Sequence, residues 1–244
     1  MFGYLCRGCP QYSRAISIKL LKYILCIETS TTVCSVCVTA NEKVIAFREI
    51  NNGFTHAENL HVFFEEVLKE ANLTFAQINA IAVSKGPGSY TGLRIGVSAA
   101  KGLCYALNIP LISVDTLQSM AWGVAVIKKE DVLYCPMLDA RRMEVYCGVY
   151  TKNLEPRLPV TALVLDENSV KTFNLEKPVC FFGDGMGKSK ELLQHIQGTT
   201  FIENIFPSAK SMATLAFVKL EQNKFENVTF FEPFYLKEFF TKGQ

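Results

Sequence analysis

Ala82-Val83-Ser84-Lys85-Gly86-Pro87-Gly88-Ser89-Tyr90-Thr91-Gly92-Leu93-Arg94-Ile95-Gly96 is the stretch that decides how this chain is read. The run Ile78–Val83 is apolar and predicts a strand. It enters a glycine-rich loop, Lys85 to Gly92, and a long helix is expected from there to about Leu107. A strand–loop–helix of this kind gathers free backbone N–H groups and the positive end of a helix at one spot, a geometry that favours an anion such as phosphate. No Gly-Lys-Ser/Thr follows at P-loop spacing, and the dinucleotide fingerprint is absent. A mechanical use competes with ligand binding. Gly92, Gly96 and Ala100 recur every four residues on one helix face, and small residues there let another backbone come close. Taken as residues alone, the pattern favours packing over a ligand.

Upstream, Tyr23–Ile27 reads as a strand and Glu28-Thr29-Ser30-Thr31 as a polar turn. Val33–Val38 and Val44–Phe47 read as two further strands around an Asn41-Glu42 turn. The turn at Thr29 and Ser30 is either an ordinary hairpin turn or a second place where hydroxyls and N–H groups hold phosphate. Thr55-x-x-Glu58 reads as a capping box opening a helix with the apolar stripe Leu60, Phe63, Phe64, Val67, Leu68, Ala71. Thr74-x-x-Gln77 caps a short turn. Downstream, Ile109–Val114 is a buried strand, and Asp115 caps a helix to about Val126. Strands alternating with helices indicate an α/β lobe.

The charge cluster Lys128-Lys129-Glu130-Asp131 marks a boundary, giving a first lobe of residues 22–127 and a second, reduced lobe of residues 128–244. The second lobe is expected to hold a hairpin, Leu133–Leu138 and Glu144–Tyr150, then strands at Val160–Leu165 and Val179–Phe182. Gly183-Asp184-Gly185 leads towards a helix over Lys188–Ile196. A second helix, Ser208–Leu220, is free to pack back on the first lobe, and Phe231–Leu236 is a last extended piece. Residues 1–21 read as a disordered extension or a start placed too far upstream.

The bulk numbers narrow the function classes. The chain has 244 residues, 49% of them hydrophobic and 20% charged, and carries 25 basic against 23 acidic side chains for a net charge of +2. No basic patch for direct nucleic-acid binding is evident, so any nucleic-acid role is expected to be indirect. The mean hydropathy of +0.18 leaves room for an apolar interface. No run approaches the roughly 20 apolar residues that span a bilayer, which points to a cytoplasmic protein without a membrane anchor. Nine cysteines are scattered through apolar runs, as free thiols are in a reducing compartment. Cys6-x-x-Cys9 and Cys34-x-x-Cys37 have metal-like spacing, but residues three apart on a strand face opposite ways and zinc wants four converging ligands. His56 and His61 are five apart, off a common helix face, and read as helix surface; no nucleophile elbow appears.

With these residues in view the chain resembles the TsaB (YeaZ) family. The resemblance rests on Tyr23–Thr31, on the glycine loop Ala82–Gly96, on Leu138-Asp139-Ala140-Arg141 with Glu144-Val145-Tyr146, and on Pro233-x-Tyr235-Leu236-Lys237. It spans about residue 22 to 237. It implies a two-lobed actin/Hsp70/sugar-kinase (ribonuclease H-like) α/β fold. It also implies a non-catalytic subunit that works with a TsaD-type transferase and a TsaE-type ATPase to place threonylcarbamoyl on N6 of adenosine 37 in tRNAs reading ANN codons. ATP and metal would then be bound by the partner subunits and no cofactor by this chain. The transferase paralogues carry a Val-Asn-His-x-x-x-His metal pair. The matching stretch here is Val114-Asp115-Thr116-Leu117-Gln118-Ser119-Met120, with Thr116 and Met120 at the ligand positions. A hydroxyl and a thioether are poor ligands for such a metal.

Other implied features follow the same comparison. Glu28 stands where relatives have Asp, so a carboxylate there is displaced. Thr29, Ser30, Gly86, Gly88 and Gly92 would be vestigial anion contacts, and Gly183-Asp184-Gly185 a vestigial adenosine turn. Leu60, Phe63, Phe64 and Val67 with Gly92, Gly96 and Ala100 are the expected interface residues. They would serve the partner subunit, or a homodimer when the chain is alone. The competing reading is an ATP-dependent kinase or ATPase of the same superfold, which magnesium-dependent ATP binding by the isolated chain would favour.

Overall fold

The computed structural model describes residues 21–53, 55–173 and 175–237. Cys6, Cys9 and all but the last residue of the expected extension 1–21 lie outside them. Two five-stranded sheets carry the architecture. The first is built from β1 (Tyr23–Glu28), β2 (Val33–Ala40), β3 (Lys43–Asn51), β4 (Ala80–Gly86) and β5 (Leu111–Asp115), in the order β3-β2-β1-β4-β5. The second is built from β6 (Leu133–Asp139), β7 (Glu144–Tyr150), β8 (Pro156–Val164), β9 (Val179–Phe182) and β10 (Thr200–Ile202), in the order β10-β9-β6-β7-β8. In each sheet three strands form an antiparallel meander and two more add in parallel beside its first strand. The second sheet therefore repeats the topology of the first.

The crossovers are unequal. In the first lobe, α1 (His56–Glu70) precedes β4, and α2 (Tyr90–Leu107) joins β4 to β5. In the second lobe the corresponding connections shrink to a 3₁₀ turn over Ser169–Phe173 and to α4 (Lys190–Leu193). The helix expected over Lys188–Ile196 is therefore a 3₁₀ turn, Gly187–Ser189, followed by one short helical turn. Strand β10 was not anticipated, and Phe231–Leu236 forms no strand.

Helices α3 (Thr116–Lys128) and α5 (Ala209–Glu221) lie between the sheets. The first core sits under α1 and α2, where Leu25, Ile27, Val36, Leu60, Val67 and Val97 meet. The opposite face of that sheet, with Ile24, Cys26, Cys37 and Ile112, packs on Met212 and Phe217 of α5. Helix α3 presents Leu117, Met120 and Val124 to Tyr134, Leu138 and Phe182 of the second sheet. Gly123 of α3 faces Ser211 of α5, with its Cβ position 2.5 Å from the serine oxygen, so the two helices touch closely there. Cys34 and Cys37 fall in different cores on opposite faces of β2, as strand alternation requires.

Capping follows the sequence in two places and departs from it in a third. Asp115 Oδ1 accepts from the Gln118 N–H at 3.0 Å and starts α3. Gln77 Oε1 accepts from the Thr74 N–H at 2.9 Å. Thr55, however, makes no side-chain cap for α1, and its hydroxyl is buried with no partner among the described residues. Its φ of −97° and ψ of 23° are not the extended conformation that aims a cap hydroxyl at the helix N–H groups.

Candidate functional site

The C-terminal ends of β1 and β4 bring the Glu28–Thr31 turn against the glycine loop and the first turns of α2. The turn is buried: Glu28, Thr29 and Ser30 expose nothing and Thr31 little. Ser30 C=O accepts from the Ser89 N–H at 2.6 Å, and the Thr29 hydroxyl donates to the Gly92 carbonyl at 2.8 Å. A Cβ on Gly88 would overlap the Ser30 carbonyl oxygen, one on Gly92 the Thr29 carbonyl oxygen, and one on Gly96 the Thr29 hydroxyl. The glycines thus let a helix and a turn pack backbone to backbone. Gly86 has a different reason. Its φ is +111°, which L side chains rarely adopt, and its Cβ position lies 2.6 Å from the Phe234 carbonyl oxygen. Thr29, Ser30, Gly88 and Gly92 lie together, with the Thr29 hydroxyl and the Ser30 carbonyl bonded to α2 and its entry, and the Ser30 hydroxyl buried with no partner among the described residues.

Glu28 extends this logic. Its Oε1 accepts from the Ser30 N–H at 2.6 Å and from the Ser84 hydroxyl at 2.8 Å, while Oε2 is buried with no hydrogen-bond partner among the described residues. Burial raises its pKa above the ordinary glutamate value, and the bonds from Ser30 and Ser84 only partly offset that. The longer side chain thus folds back into its own turn.

His56, read from sequence as helix surface, is 1% exposed. Its Nε2 lies 2.7 Å from the Thr31 carbonyl oxygen, which ties the start of α1 to the same turn. The physical reason is that the first turn of α1 abuts the Glu28–Thr31 turn, so a first-turn position that helical periodicity places outside is covered by another segment. His61 is exposed.

Thr116 and Met120 lie on the inner face of α3, both buried, with Met120 among Leu117, Tyr134 and Leu138. Among the described residues no group of three or more His, Cys, Asp or Glu side chains is placed to hold a metal ion.

In the second lobe the Asp-Ala-Arg signature has a structural role that sequence reasoning missed. Asp184 Oδ1 accepts from the Asp139 N–H at 3.0 Å. Asp139 Oδ1 accepts from the Arg141 N–H at 2.6 Å and from Lys188 Nζ at 2.6 Å, and Lys188 also donates to the Arg142 carbonyl at 2.7 Å. Asp184 and Lys188 thus brace this turn from the far side of the lobe's sequence. Cβ atoms on Gly183 and Gly185 would overlap the backbone of Met137 and Leu138, so the Gly-Asp-Gly turn lies directly on β6. The separation of 45 residues between Asp139 and Asp184 hides the pairing from any local pattern.

The expected interface residues are mostly unavailable. Leu60, Phe64, Val67 and Ala100 are buried in the first core, Gly92 and Gly96 are covered by the turn, and Phe63 is half-buried. The most apolar stripe of each helix is spent on its own sheet. The open part is the groove between α1 and α2, about 690 Å³, lined among others by Ala57, His61, Ile95, Ser98, Ala99 and Gly102. Val62, also on α1, is 49% exposed. No helix among the described residues is long and apolar enough to cross a membrane.

The chain matches the family model described as TsaD, tRNA N6-adenosine threonylcarbamoyltransferase, over residues 53–240. It is 32% identical over 230 residues to the tRNA threonylcarbamoyladenosine biosynthesis protein TsaB of Buchnera aphidicola subsp. Baizongia pistaciae, covering 90% of this chain and all of that protein. Among solved structures it is similar to YeaZ from Pseudomonas aeruginosa, with a TM-score of 0.75, 26% identity, and coverage of 88% of this chain and 100% of that one. A likeness of fold alone reaches component A of the Acidaminococcus fermentans (R)-2-hydroxyglutaryl-CoA dehydratase, at a TM-score of 0.51, 9% identity, 83% of this chain and 99% of that one. The duplicated α/β sheets are those of the actin-like fold class that the resemblance implied. On the sequence match over 90% of its length and on this fold, the chain belongs to the TsaB family, within the wider group that the TsaD transferase model describes.

Proposed function

We propose that this chain is a non-catalytic partner subunit in the biosynthesis of threonylcarbamoyladenosine in tRNA. It acts with a TsaD-type transferase and a TsaE-type ATPase, in the cytoplasm, and meets tRNA through them. The observation that carries the reading is the glycine loop. The Thr29 hydroxyl and the Ser30 carbonyl are bonded to Gly92 and Ser89, the turn's own backbone and the Thr29 side chain fill the space beside Gly88, Gly92 and Gly96, and the Glu28 carboxylate is folded into the same buried turn. A loop whose glycines already face a packed turn, with a buried carboxylate beside it, leaves little room for a phosphate. Thr116 and Met120 at the paralogues' metal positions support the same reading, since both are buried and Met120 packs in the core.

The α1–α2 groove is the face proposed for the transferase subunit. The transferase family model covers this chain's own helices, so the partner carries a related pair. Two related chains meeting through equivalent faces form a quasi-isologous interface. The same geometry would permit a homodimer when the partner is absent. The test is a calorimetric titration of the isolated chain with ATP and magnesium. The reading expects no saturable heat at tens of micromolar. Micromolar, magnesium-dependent binding would overturn it in favour of an ATP-using enzyme.

A further inference from the structure

The C-terminal segment after α5 reaches five separate parts of the molecule. The Glu226 N–H donates to the Leu111 carbonyl at 2.8 Å, and its carboxylate accepts from the Ser113 hydroxyl at 2.5 Å, so the segment begins along the open edge of β5. Val228 and Phe231 pack on the first core. Lys101 of α2 donates to the carbonyls of Thr229 and Phe231, at 3.1 and 3.0 Å. The Phe234 N–H donates to the Lys85 carbonyl at 2.7 Å, beside Gly86. The Tyr235 ring lies 4.9 Å from that of Tyr90, and its hydroxyl accepts from Arg94 at 3.3 Å. Arg94 itself sits 4.1 Å over the Tyr90 ring. Lys237 closes the run with an ion pair to Glu144 of β7.

Helix α2 needs such support. Its buried residues are Gly92, Leu93, Gly96, Val97, Ala100 and Cys104, half of them glycine or alanine. Small residues allow close approach but remove little apolar area from water, so they hold a helix weakly. The segment grips α2 at Tyr90, Arg94 and Lys101, beside the groove-lining Ile95, Ser98 and Gly102.

We propose that residues 226–237 are a strap that fixes α2 in the position required for docking of the transferase subunit, so that partner affinity depends on residues outside the groove. The proposal rests on the groove reading above. An interface ordered in advance spends less binding free energy on ordering, and releasing the strap returns that cost to the docking step.

The test uses full-length Tyr235→Ala and Lys101→Met, each confirmed folded by near-ultraviolet circular dichroism. Hydrogen exchange over residues 90–105 and the Kd for the TsaD-type subunit are then measured. Faster exchange in α2 with about tenfold weaker binding is expected. Tyr235→Phe, which keeps the ring against Tyr90, is expected to restore most of the affinity. Ser98→Arg places a charge in the groove without touching the strap and separates the two possible failures. Wild-type binding by Ser98→Arg overturns the groove reading itself. Weak binding by Ser98→Arg together with wild-type binding by Tyr235→Ala and Lys101→Met overturns the strap alone.

Discussion

Replacing Gly92 by alanine adds one methyl group to α2 at a place where the Thr29 carbonyl oxygen already sits. In an open helix the change helps, by about 1 kcal/mol, because alanine loses less backbone freedom than glycine. Here the methyl meets backbone, and the turn cannot move aside without straining two bonds, Thr29 hydroxyl to Gly92 carbonyl at 2.8 Å and Ser89 N–H to Ser30 carbonyl at 2.6 Å. Each such bond contributes about 1 kcal/mol, and overpacking of a filled contact costs about 1–3 kcal/mol. The net expectation is a loss of about 2–4 kcal/mol, or roughly 2–4 °C of Tm per kcal/mol for a chain of this size. Gly102 lies on the same helix with nothing within 4 Å of its Cβ position. Gly102→Ala is therefore expected to gain up to about 1 kcal/mol. Guanidinium unfolding of both variants, at a concentration low enough to avoid self-association, measures the pair of opposite signs. A Gly92→Ala variant as stable as the wild type would refute the backbone-to-backbone account of the loop, and the anion-binding alternative would return.

Three further outcomes are expected. The raised pKa of Glu28 means that the wild type is relieved of its buried charge below the ordinary glutamate pKa and loses that stability as pH rises through the folded-state value. Glu28→Gln should accordingly be more stable than wild type at neutral pH, with the gap closing as the pH falls towards 4.5; thermal melts across that range test the sign. Thr116→His with Met120→His, which rebuilds the paralogues' ligand pair, should lower Tm, because each imidazole enters a filled core at about 1–3 kcal/mol; zinc retained in stoichiometric amount after dialysis would contradict this. Lys188→Met should loosen the Asp139–Arg142 turn and speed amide exchange at Arg141, with little change at the glycine loop, since the two networks share no residue.

Much of the first lobe was legible because its signals are local. The three meander strands, the strand into the glycine loop, the long α2 and the Asp115 cap each follow from short-range periodicity or capping chemistry. Both glycine motifs were visible; the residues of the Lys85–Gly92 loop favoured packing, whereas Gly183-Asp184-Gly185 read as a vestigial adenosine turn and gave no sign that it lies on β6. What escaped was set by distant segments. His56 looks like surface until the Glu28–Thr31 turn is seen to cover it. Leu60, Val67 and Ala100 look like an interface because helical periodicity marks an apolar face without saying whether the chain's own sheet or a partner occupies it. The second lobe was harder, since its connections are reduced to a few residues and β10 has only three. The tail reads as a strand from composition, yet its backbone is held by Lys101 and by single bonds to Lys85 and Leu111, which makes no ladder.

The central claim, that this chain enables modification without performing it, is tested most directly by reconstitution. The cognate TsaD-type and TsaE-type proteins are incubated with tRNA, threonylcarbamoyl adenylate, ATP and magnesium, with and without this chain, and threonylcarbamoyladenosine is quantified by mass spectrometry. The account predicts product only when this chain is added and none from this chain alone. Equal product without it, or modification by this chain on its own, would contradict the account.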